Sequence, residues 1–192
     1  MPLPRFLRLP PQRQAALLEV AQRHLAREGR DGASYNQIIA EAGLSKTSAY
    51  LYFDGREDLV CAVIASVVSR LEAVLGAWAP VMDEAAFWAL LSAQSERLQQ
   101  HLSTHPEDLA IVASLRPAEW PQAQAWLLGL MENARALGVL RSDVPLAVMA
   151  AVTRAVLTTL DELAIEALRE GHAVDSGLVV SLLTNLWRGA GR

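Results

Sequence analysis

Two short helical patterns separated by one glycine, in SYNQIIAEAGLSKTSAYLYF over residues 34–53, constrain this chain more than any other feature. Ser34 stands where an N-cap is expected, and Ile38 and Ile39 face inward on the helix predicted over 35–42. Gly43-Leu44 makes a tight turn, because a connection this short needs one left-handed backbone conformation. Leu44 can plug the angle between the helices. Ser45 caps a second short helix over 46–52, and Asp54-Gly55 breaks it. Such a pair is a helix-turn-helix. The second helix is polar at its start and aromatic at its end. Ser45, Lys46, Thr47 and Ser48 suit the base edges and phosphates of a major groove. Tyr50 and Tyr52 bring a ring and a hydroxyl to the sugar-phosphate wall, and Phe53 belongs to the core.

The remainder is helical in pattern almost throughout, with no strict polar/apolar alternation of the kind a half-buried strand shows. A first helix over 11–28 places Leu17, Val20, Ala21 and Leu25 on one face, and Gly29 stops it. Further helices are predicted over 56–78, 83–104, 106–115, 117–137, 144–170 and 175–188. Pro80 ends the first of these, and Pro106, Pro117 and Pro145 lie near helix starts, where a missing N–H is harmless. The expected fold is all-α with about nine helices. The proline-rich residues 2–11 read as a flexible or extended arm, from which Arg5 and Arg8 could reach a minor groove, though a disordered tail is the simpler expectation.

Charge is distributed unevenly. Residues 1–53 carry seven basic and four acidic side chains, a balance of +3, whereas the whole chain is at −4. That asymmetry fits a small nucleic-acid reader on an acidic body. Of the 17 basic residues Lys46 is the one lysine, and it lies in the second helix of the motif. One cysteine, Cys61, excludes an internal disulfide; between Val60 and Ala62 it reads as a small buried hydrophobe. Neither a signal peptide nor a membrane span is expected, so the prediction is a soluble cytoplasmic protein. No P-loop, GxGxxG, HExxH or CxxC is present, so neither an enzyme nor a cofactor is expected.

AGLSKTSAYLYF, with the DGREDL that follows it, resembles the DNA-reading signature of the tetracycline-repressor (TetR) family over about residues 13–62. The resemblance implies DNA contacts by Ser45, Lys46, Thr47, Ser48, Tyr50 and Tyr52. Arg56 would reach a phosphate from the start of the next helix, and Ser34 and Asn36 complete the candidate set. Leu51 departs from the histidine common between the tyrosines, Thr47 from a glycine and Ile39 from an alanine. The implied organisation is a DNA-binding domain over 1–56 and an effector-binding and dimerisation body over 57–192, linked by the helix that starts at residue 56. The last two helices would pair a homodimer through faces that include Leu157 and Leu182.

The implied activity is transcriptional regulation, expected as repression relieved when a small, mostly apolar organic effector binds the body. Trp78, Met82, Trp88, Trp120 and Trp126 are the candidate ligand residues, since aromatic walls with few polar groups suit such molecules. His101 and His105 have i, i+4 spacing, but Pro106 marks a helix end beside them and no metal is expected. The alternative is a helical protein–protein interaction module whose helix-turn-helix no longer binds DNA. Two motifs on one face of a dimer, about 34–36 Å apart, would discriminate between them.

Overall fold

The computed structural model describes residues 2–116, 119–172 and 175–188. Among them are ten helices and no strand: α1 (Pro4–Leu7), α2 (Pro11–Gly32), α3 (Tyr35–Glu41), α4 (Lys46–Tyr52), α5 (Arg56–Leu75), α6 (Glu84–Thr104), α7 (Pro106–Val112), α8 (Pro121–Ala136), α9 (Leu146–Arg169) and α10 (Ser176–Arg188). Pro117, expected to open a helix, lies outside the described residues, and α8 begins instead at Pro121. No helix among the described residues is long and apolar enough to cross a membrane.

One compact unit comprises Met1–Arg70 and His105–Glu119. Its core follows from helical spacing. Leu17, Ala21 and Leu25 recur every four residues along α2 and are buried with Ile38 and Ile39 of α3, Ala49 of α4, and Leu59, Val60 and Val63 of α5. α2 packs on both α3 and α7. At Gly29 the backbone of α2 leaves the helical path (φ 76°, ψ 165°) before a last turn to Gly32, so the expected stop appears as a kink.

Two expectations fail in this unit. Residues 2–11 are not a free arm: they contain α1, and Phe6 is buried. Cys61 is exposed, because it falls on the outward side of α5 while Val60 and Ala62 turn inward.

The second unit comprises Leu71–Thr104 and Trp120–Arg192. α5 ends at Leu75, earlier than Pro80 suggested, because Gly76 adopts a left-handed conformation (φ 73°) that terminates the helix. Trp78 therefore lies beyond the helix and packs against Phe87 of α6, with ring centroids 5.0 Å apart. Phe87, Leu91, Leu130, Met131, Leu183 and Trp187 complete the interior of this unit. Two indoles inside it are hydrogen-bonded, while Glu72 Oε1 is buried without a partner. Trp187 Nε1–H donates to Thr153 Oγ1 at 2.9 Å, and Trp78 Nε1–H donates to Asn133 Oδ1 at 3.1 Å. Asn133 also accepts from Val81 N–H and donates to Val81 O, which fixes the 76–83 connection against α8.

Candidate nucleic-acid interface

The motif stands as two seven-residue helices around Gly43. With φ +67°, Gly43 has the left-handed backbone that the tight turn requires, and Leu44 N–H donates to Ile39 O at 2.8 Å to close it. Ser45 caps α4: its Oγ accepts from Ser48 N–H at 3.1 Å. Ser34 has the extended N-cap backbone at the start of α3, but its side chain makes no capping bond.

Burial divides α4 into two faces. Ala49 is buried and Phe53 just beyond it is fully so, which anchors the helix on the core. Ser45, Lys46 and Thr47 are exposed, Ser48 is half-buried, and Tyr50 is 60% exposed. The outward face is thus one cation, three hydroxyl side chains and a ring, which together can donate to base-edge acceptors and phosphates. Leu51 is also exposed and offers only apolar contact. Tyr52 is half-buried, and Asn36 is exposed on α3. Tyr35 supports the face from below, its ring 6.1 Å from that of Tyr50. Its hydroxyl oxygen is buried without a hydrogen-bond partner, and burial, with Tyr50 and Asp58 nearby, pushes its pKa up.

Arg56 is engaged within the protein. Its Nε–H donates to Ala33 O at 3.1 Å, a second nitrogen donates to Arg30 O, and a third pairs with Glu57 at 2.7 Å. The guanidinium therefore satisfies carbonyls left over at the C-terminal end of α2, and this sets α5 against the α2–α3 junction.

A second clamp joins α2 to α3. Glu41 accepts from Arg23 at 3.1 Å and lies 2.8 Å from Nε2 of the buried His24. The Arg23 hydrogen bond, then that of His24, holds the Glu41 carboxyl below the usual carboxylate range. Sequence reasoning missed this clamp, and no local pattern marks a pair 17 or 18 residues apart.

The candidate ligand residues separate. Trp78, Trp88 and Trp126 share one aromatic cluster: Trp126 meets Trp78 edge-on at 5.8 Å, and Phe87 bridges Trp78 to Trp88 at 5.0 and 5.1 Å. The indole of Trp126 donates to Gln94 at 3.2 Å and that of Trp88 to Glu84 at 3.1 Å. Met82 is 92% exposed, and Trp120 is the half-buried N-cap residue of α8; neither belongs to that cluster. Among the described residues no three His, Cys, Asp or Glu side chains gather as metal ligands.

Residues 17–63, which hold this face and its supports, match the family profile of bacterial regulatory proteins, tetR family. The N-terminal segment belongs to the TetR family. That is a family of regulatory proteins, not of enzymes. The rest of the TetR-type architecture is matched by fold. A TetR-like transcriptional regulator from Rhodococcus sp. RHA1 is 19% identical, with 93% of this chain and 96% of that one aligned at a TM-score of 0.65. A TetR family transcriptional regulator from Chloroflexus aurantiacus J-10-FL is 24% identical, covering 97% and 93%, with a TM-score of 0.58. The transcriptional regulator FadR from Bacillus subtilis, solved in complex with stearoyl-CoA, is 16% identical, covering 92% and 99%, with a TM-score of 0.66. No curated protein matches significantly in sequence.

Proposed function

We propose that this protein is a homodimeric transcriptional repressor that reads operator DNA through α4 and is released by a small, mostly apolar organic effector. The observation that carries the DNA reading is the outward face of α4: Ser45, Lys46 and Thr47 exposed on a helix anchored by Ala49 and Phe53. Lys46 takes a phosphate, and Ser45, Thr47 and Ser48 reach base edges or backbone. Tyr50 and Tyr52 lie along the sugar-phosphate wall, with Ser34 and Asn36 at its margin.

Dimerisation is supported by apolar side chains that the single chain leaves in solvent. Val148, Val152 and Leu163 on α9, and Leu178 and Leu182 on α10, are exposed although the opposite faces of these helices carry the buried Met149, Thr153, Leu183 and Trp187. A patch of this kind marks an interaction surface, and a second copy of the same patch covers it isologously. The effector reading rests on the partly buried Trp88 and Trp126 beside the aromatic core, and on the acyl-CoA held by the FadR of similar fold.

Affinity selection from random duplexes, followed by sequencing, tests the first part. Recovery of a two-fold sequence is expected; recovery of no duplex would refute it. Operator release, followed with tryptophan fluorescence across a panel of acyl and aromatic compounds, tests the second.

A further inference from the structure

The one-turn helix α1 sits where α4 ends. Four residues do not hold a helix in water by themselves, so tertiary contacts keep α1 in place. Leu3 N–H donates to Tyr52 O at 2.8 Å, giving one of the last carbonyls of α4 a partner. The buried Phe6 ring packs 4.9 Å from Phe53 and meets Tyr52 edge-on at 6.4 Å. At the other end the Gln14 side chain of α2 donates to Leu9 O at 2.8 Å and to Leu7 O at 3.3 Å. Pro4, Pro10 and Pro11 limit the backbone on both sides.

Fixing α1 fixes what it carries. Arg5 and Arg8 flank Phe6 and are exposed. Arg5 follows two residues after Leu3, so it lies at most about 7 Å of chain from the atom bonded to Tyr52. A solvating tail needs no anchor, yet here a buried ring and hydrogen bonds at both ends hold two guanidinium groups near the end of the recognition helix. We propose that α1 is part of the DNA-reading surface: Phe6 positions Tyr52, and Arg5 and Arg8 contact phosphates beside the groove that α4 enters. This rests on the DNA-binding reading above.

The probe is a duplex recovered from a random-sequence pool by the full chain, titrated between 50 and 200 mM salt. R5Q/R8Q is expected to bind more weakly, with a salt slope shallower by about 1.8, since each phosphate contact contributes about 0.9. The ratio of wild-type to variant affinity should then shrink about tenfold across that salt range. F6L, which loosens the anchor of α1, is expected to weaken binding and to move the slope toward that of R5Q/R8Q, and to have no further effect in an R5Q/R8Q/Y52A background, as coupled residues behave in a double-mutant cycle. Thermal melts confirm that each variant is folded at the titration temperature. Wild-type slope and affinity in R5Q/R8Q, or an F6L effect that persists in full in the R5Q/R8Q/Y52A background, would overturn the inference and leave DNA binding standing. Failure of the wild-type chain to recover any duplex would remove the DNA-binding reading and this inference with it.

Discussion

Oδ1 of Asp108, on α7, lies 2.6 Å from an Nη of Arg70 on α5. Gln22 of α2 donates to the same oxygen at 2.6 Å, and its own carbonyl accepts from Arg70 at 2.7 Å. Three helices are thereby tied at one carboxylate that is almost wholly buried, while the arginine keeps one side in solvent. A buried charge is tolerated only when it is paired and hydrogen-bonded, and removing one partner exposes the full desolvation cost of the other. Arg70→Ala is therefore expected to destabilise the chain by about 2–4 kcal/mol, with Asp108→Asn losing less because it keeps the shape and part of the bonding. Urea unfolding of both variants measures this. Equal stability of Arg70→Ala and wild type would mean that the three-way tie contributes nothing.

Lys46 and Arg56 should respond differently to salt. Lys46 is exposed on the outward face of α4, so Lys46→Ala is expected to weaken operator binding and reduce the salt slope by about 0.9. Arg56 donates to Ala33 O and Arg30 O, so Arg56→Ala is expected to lower affinity and stability while the slope stays near that of wild type. Arg56→Lys should not restore it, because an ammonium cannot reproduce the planar fork. Titrations at four salt concentrations separate the two behaviours. A shallower slope in Arg56→Ala would place that guanidinium on a phosphate.

Val152 and Leu182 carry the assembly prediction. Both are exposed apolar residues on α9 and α10. Replacing either by Glu should convert a dimer to a monomer, since on an isologous patch the uncompensated carboxylate would be buried in both copies. Sedimentation velocity at micromolar concentration reads the change. A monomeric wild-type chain under those conditions would dismiss the interface.

Glu41 gives a pH dependence of defined sign. Its carboxyl titrates below the usual range because Arg23 and His24 hydrogen-bond to it. A lowered folded-state pKa means that its contribution is complete above the unfolded value of about 4.3 and disappears as pH falls through the folded value. The Tm difference between wild type and Glu41→Gln should therefore close progressively as pH falls below about 4.5. A difference that widens in acid would contradict the α2–α3 clamp.

The helix-turn-helix was legible from local signals. Gly43, the Ser45 cap and the inward Ile38, Ile39 and Phe53 are local signals, each acting within a few residues, and each has the expected conformation or burial. Helical periodicity likewise carried the all-α class, because an apolar face at 3.6-residue spacing has no other way to be buried. Helix ends were less legible where two signals competed: Gly76 stops α5 before Pro80 can.

Which side chains meet depends on how the helices pack. Nothing near Phe6 in the sequence indicates that it finds Phe53, and a proline-rich, polar-flanked segment looks like a tail until a distant ring buries it. The same holds for Arg70 with Asp108, 38 residues apart, and for Arg56, whose charge suggests a phosphate but whose neighbours in space are two backbone carbonyls. Trp78, Trp88 and Trp126 form one cluster and Met82 does not, although all have the composition of a pocket wall. Local pattern fixes conformation because its interactions span one or two turns. Partner choice depends on helix packing across tens of residues, where hydrophobicity specifies burial but not the neighbour.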